Sequence, residues 1–116
     1  MSSTPFTDII SDLTRQRGVL GCVIVSERDG IVIDGDVQSA VDGAAVAALA
    51  AALFRRARLC SEAAGLATVS FLQLEAERGY LCAAGRDEMV VVAIAESSVN
   101  VAQLRAMMLQ SMEVLI

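Results

Sequence analysis

Between Gly43 and Phe54 the chain runs for twelve residues without a polar side chain, and seven of the twelve are Ala. Ala is the strongest helix former, so the segment predicts a helix. An ordinary surface helix turns a charged stripe to water, and this one has none. Projection at about 100° per residue puts Val46, Leu49, Leu53, Ala57 and Cys60 on one face. Ala44, Ala48, Ala51 and Arg55 fall on the other, with Ala52 beside them. The bulky face is expected to cover a sheet. Covering the small face with the chain's other helices would bury it twice, because each has its own core stripe. Small residues let two backbones approach closely with little side-chain entropy lost. A second copy of the same helix, antiparallel about a two-fold axis, therefore fits best. On this reading Ala48→Glu would produce a folded monomer. The competing reading is an exposed Ala-rich helix with no partner.

The rest of the chain bounds the fold and the chemistry. Its 116 residues are enough for one domain with one core, and no linker, repeat or low-complexity stretch divides them. Residues 1–116 are read as a single domain. With 55% hydrophobic residues but only 3% aromatic, the apolar mass is aliphatic and exceeds what a small monomer hides easily. The net charge is −5, and the nine basic residues are all Arg, with no basic stripe to favour nucleic acid. The absence of His removes Ser–His–Asp and Cys–His nucleophile systems within this chain.

Cys22, Cys60 and Cys82 form no CxxC pair and read as buried thiols, so neither a metal nor another cofactor is expected. The segment Met1–Asp8 lacks the basic and apolar regions of a signal peptide, and no apolar run reaches the length of a membrane span. A cytoplasmic protein without membrane insertion is expected.

Along the chain, Thr4 and Pro5 open a helix whose inner stripe is Phe6, Ile9, Ile10 and Leu13, and Gly18 stops it. Leu20–Val25 reads as a central strand, Asp29-Gly30 as a tight turn, and Ile31–Asp36 as an edge strand fading into polar residues. Ser39 to Asp42 resembles a capping box, opening the long helix that closes near Gly65. Strands are expected over Thr68–Glu75 and Gly79–Ala84. A turn at Gly85–Glu88 leads to the doubly apolar strand from Met89. Asn100 caps a last helix with Val101, Leu104, Met108 and Leu115 inward and Met112 at the edge. The expected fold is α/β in the α+β sense: α-β-β-α-β-β-β-α, an antiparallel sheet with helices on both faces.

These elements resemble a known family. The stretch GVLGCVIVSERDGIVI (residues 18–33) is similar to the opening hairpin of roadblock domains, named for a dynein light chain. The Ala-rich helix with its Ala51-Ala52-Leu53-Phe54 is similar to the family's central helix, and Asn100 to Arg105 resembles the start of its last one. The short acidic chain is most similar to bacterial members of the MglB type. The resemblance implies a profilin-like five-stranded sheet, with the long helix on one face and the terminal helices on the other. It also implies pairing of two subunits through residues 39–64 and 68–75 into one continuous ten-stranded sheet. Ala44, Ala48, Ala51, Ala52, Val69 and Phe71 are the expected interface. Family members regulate or scaffold small Ras-like GTPases, or link cargo to motors, which implies a non-catalytic homodimeric partner of such a GTPase.

Arg55, Arg56 and Arg58 are the only basic cluster and could meet an acidic GTPase surface; a solvated helix end favoured by the dipole is the plainer reading. An arginine finger is the less favoured form of that contact. Glu75, Glu77, Asp87 and Glu88 read as exposed strand-end charges, and Asp34 with Asp36 make a poor cation site. Gly18, Gly21, Gly30 and Gly35 have no nucleotide-binding spacing. Met107, Met108 and Met112 read as packing for the last helix, with an adaptable docking surface as the alternative. The rival functional class is a small-molecule sensor. A convergent pocket is disfavoured by the single Tyr80 and by small strand residues such as Ala83 and Ala84.

Overall fold

In a computed structural model, which describes residues 4–115, a five-stranded antiparallel sheet lies between two helical layers. The first three residues of the segment read for a signal peptide lie outside this range. Helix α1 (Pro5–Thr14) begins where the Thr4 hydroxyl accepts the Thr7 N–H at 3.2 Å, with Pro5 in the first turn. Strands β1 (Val19–Ser26) and β2 (Ile31–Val37) form the first hairpin. Helix α2 (Gly43–Ala63) follows, then β3 (Phe71–Ala76), β4 (Gly79–Arg86), β5 (Met89–Glu96) and α3 (Val101–Val114). The sheet order is β2-β1-β5-β4-β3, so the two doubly apolar strands β1 and β5 are neighbours inside the sheet while β2 and β3 are its edges.

The order of elements matches the sequence reading, and several local details differ. Asp42, not Ser39, caps α2: its carboxylate accepts the Ala45 N–H at 3.1 Å, and residues 38–42 form the turn that swings the chain across the sheet. Gly65, at φ +75°, ends the helix as expected. In the first hairpin only Gly30 takes positive φ, because Ser26 and Ile31 pair across a four-residue connection and not a two-residue one. The tight two-residue turn lies instead at Asp87 and Glu88, with φ of 50° and 68°. Strand β3 starts at Phe71, three residues later than the apolar pattern implied, because residues 66–70 are taken up by the return from α2.

Each face of the sheet carries its own core. Ile9, Ile10 and Leu13 of α1 and Leu104, Met108 and Met112 of α3 cover Cys22, Ile24, Cys82, Val91 and Ala93. Met112 thus belongs to the core and not to its margin, whereas Met107 is half-buried. On the opposite face Ala47, Ala50, Ala51 and Phe54 of α2 cover Val23, Val25, Ala83, Val90 and Val92. Cys60, unlike Cys22 and Cys82, is exposed on α2, so the expectation of three buried thiols holds for two.

Candidate interaction surface

Helix α2 is rotated by about a quarter-turn from the orientation that side-chain bulk implies. Its sheet-facing residues are Ala47, Ala51 and Phe54, all fully buried. Leu49, Leu53 and Leu59 look outward, with 70%, 37% and 63% of their surface exposed. Two features set this rotation. Ala residues let the helix backbone settle close onto the branched strand residues beneath. Phe54 then fills the space above Gly85, where a Cβ would come within 2.4 Å of its ring. Of the face expected to cover the sheet, Leu49, Leu53 and Cys60 are exposed, while Val46 and Ala57 are half-buried at its flank.

The residues expected at a subunit interface are accordingly dispersed. Ala51 has no surface left for a partner, since its own sheet buries it completely. Ala44 and Ala48 remain exposed, with the Ala48 backbone beside Gly30 at the β1–β2 turn. Ala52 is half-buried. Val69 precedes β3 and packs on the α2 layer. Phe71 packs in the opposite layer, beneath the Arg105 guanidinium 5.4 Å from its ring centroid.

What the fold presents instead is an outward strip of α2, containing Ala45, Leu49, Ala52 and Leu53 and interrupted by Arg56. Beside that layer lies an edge strand, since β3 pairs only with β4. Leu74 lies opposite Leu81, which packs on the α2 layer, so Leu74 points to the same side, where 42% of it is exposed. The free edge of β3 carries unpaired N–H and C=O groups able to extend the sheet.

The three arginines do different things. Arg58 makes a two-pronged ion pair with Glu27, at 2.7 and 2.6 Å, and lies over the Phe54 ring at 5.9 Å. Arg55 donates to the backbone carbonyl of Glu27. Both therefore fasten α2 to the β1–β2 turn. Arg56 is exposed and has no ion-pair partner among the described residues. Glu27 was not singled out from the sequence. Its signal there is an acid in a hairpin turn together with two arginines three apart on one helical face. The Glu27 side chain is 7% exposed, so Arg58→Ala would leave a buried charge uncompensated. Because a third of Arg58 meets solvent, we expect a loss of about 2 kcal/mol in urea unfolding, below the range for a fully buried pair. An unchanged midpoint would mean that Arg58 is free for a partner after all.

Asp34 and Asp36 raise the Cys22 thiol electrostatically, but burial is the larger cause, and together they push it up to about 12. Burial raises Cys82 as well. Neither thiol is a nucleophile at neutral pH.

Against this architecture, the model of the Roadblock/LC7 domain matches residues 6–95, from α1 through β5. The chain belongs to the Roadblock/LC7 family. A Roadblock/LC7 domain from Streptomyces avermitilis superposes with a TM-score of 0.84, at 19% identity over 98% of this chain and 95% of that one. Myxococcus xanthus MglB gives 0.82, at 18% identity over 99% and 90%. A structure of MglB in a tetrameric arrangement gives 0.83, at 13% identity over 99% and 90%. In sequence, the uncharacterized protein MJ0714 of Methanocaldococcus jannaschii is 30% identical over 100 residues, covering 86% of this chain and 84% of its own. No described helix of this roadblock chain is long and apolar enough to cross a membrane.

Proposed function

We propose that this chain is a non-catalytic homodimer that binds a small Ras-like GTPase and modulates its GTP hydrolysis or nucleotide exchange. The observation that carries the dimer is the outward strip of Leu49, Ala52 and Leu53 on α2, next to a layer ending in the open edge of β3. Pairing of two α2 helices would remove that apolar surface from water while two β3 edges join the sheets. Side-by-side burial of two Leu faces is favoured by about 2 kcal/mol per fully covered side chain. Family membership and the fold shared with MglB support the GTPase reading. Within the cluster, Arg56 is the arginine not committed to Glu27, and one turn beyond the Leu49–Leu53 segment it is the member that could reach an acidic GTPase surface; Arg55 and Arg58 act by holding α2 in place.

Affinity capture from the source cell, followed by GTP hydrolysis and nucleotide release with and without this chain, tests the proposal. A captured Ras-like GTPase whose hydrolysis or release rate changes severalfold is the expected result. Absence of any nucleotide-binding partner, with no rate change on addition, would overturn the GTPase reading and leave the dimer standing by itself.

A further inference from the structure

Antiparallel α1 and α3 enclose an open groove of about 420 Å³ on the layer opposite α2. Ile9 and Leu13 of α1 and the half-buried Met107 of α3 line it, and Val114, 61% exposed, stands at one end. Ser111 also borders the groove, but its hydroxyl donates to the Met108 carbonyl at 2.6 Å and is already satisfied. The charged side chains lining the groove are Asp8 and Asp12, both acidic and both exposed. Asp12 shares its charge with Arg15 in an exposed pair, while Asp8 has no ion-pair partner among the described residues.

We propose that this groove docks a basic amphipathic helix of a partner protein. A third helix lying along two others inserts apolar side chains at i, i+3, i+4 and i+7 into such a cleft. Met107 gives the lining an adaptable thioether that can repack around them. Lysines or arginines flanking that stripe meet Asp8 directly and compete with Arg15 for Asp12. A second copy of this chain is the poorer occupant. It carries a net charge of −5 and would bring its own Asp8 and Asp12 to the contact. The groove is also on the other side of the sheet from α2. A dimer built on α2 would leave one groove free on each copy, able to recruit a second protein independently of any GTPase.

The test uses the full chain, labelled for amide NMR, and two synthetic helical peptides with the same Leu stripe, one flanked by Lys and the other by Glu. The Lys peptide should bind saturably, shift the amides of Asp8, Ile9, Leu13 and Met107, and weaken as salt is added. The Glu peptide should bind about tenfold more weakly or worse. A chain carrying both Asp8→Lys and Asp12→Lys, checked for folding by circular dichroism, should reverse the preference. Equal binding of the two peptides, shifts confined to α2, or a preference unmoved by the double substitution would each overturn the proposal. So would dilution-dependent shifts of the same amides without peptide, which would make a second copy the occupant.

Discussion

Leu49→Glu should give a folded monomer, whereas Ala51→Glu, two residues along the same helix, should give no folded protein. Leu49 is 70% exposed, so a carboxylate there stays in water within the subunit and leaves its core untouched. In the proposed α2 pairing it would remove one apolar contact from each copy and place like charges close to the two-fold axis. Two lost Leu burials amount to about 4 kcal/mol, or roughly a thousandfold in the dimer constant. Ala51 is fully buried against the sheet, where a Glu would have neither room nor a partner for its charge. We expect a loss above about 4 kcal/mol. Light-scattering mass and circular dichroism on both variants decide the matter. A dimer that survives Leu49→Glu would remove α2 from the interface. A folded Ala51→Glu protein would mean that the helix is rotated. Ala48→Glu, the substitution that a small-face interface would favour, is less informative. With Ala48 on the flank beside the β1–β2 turn, Leu49 is the sharper probe.

Stability should also fall steeply above pH 9. The neutral Cys22 thiol is packed in the α1/α3 core with its pKa pushed up to about 12, against 9.0 for the ordinary thiol. Being raised, it contributes stability in full below pH 9, and this is lost as pH climbs towards 12, because the unfolded chain releases the proton first. The slope is about 1.4 kcal/mol per pH unit, reaching about 4 kcal/mol at the upper end, and Cys82 adds in the same direction. Urea unfolding of the wild type and of Cys22→Ala at pH 8, 9, 10 and 11 would show it. The variant starts less stable because of the cavity it creates, but should lose less with pH. Parallel curves for the two proteins would refute the assignment to Cys22.

Much of the fold was legible because its signals are local. The Thr4 and Asn100 caps, the stop at Gly65, and the apolar runs of β1 and β5 each depend on residues a few positions apart. Their structural outcomes follow the same chemistry. Gly18 is the exception, since α1 already ends at Thr14 with Arg15 as its C-cap, and Gly18, at φ +93°, turns the chain into β1. The departures arise where the length of a connection, or a neighbour distant in sequence, decides the outcome. The return from α2 delays β3, and the Asp29-Gly30 signal was placed in a two-residue turn although its strands close around four. The arginine cluster shows the same limit. Its three members look alike in sequence, yet Glu27, some thirty positions away, binds two of them and leaves Arg56.

The rotation of α2 is the case with functional weight. A helix apolar all round contains no periodic signal that says which side is inside. The surplus of apolar surface was therefore determined by the sequence, and so was the likeness to roadblock domains that the family match bears out. Which side faces inward was decided only when the helix met the sheet. Close approach over Val23, Val25, Val90 and Val92 requires small side chains, and the absence of a Cβ at Gly85 makes the seat for Phe54. Leu49 and Leu53 are turned outward as a consequence. Packing complementarity between distant elements, which no local pattern records, thus selected the surface this chain offers to others.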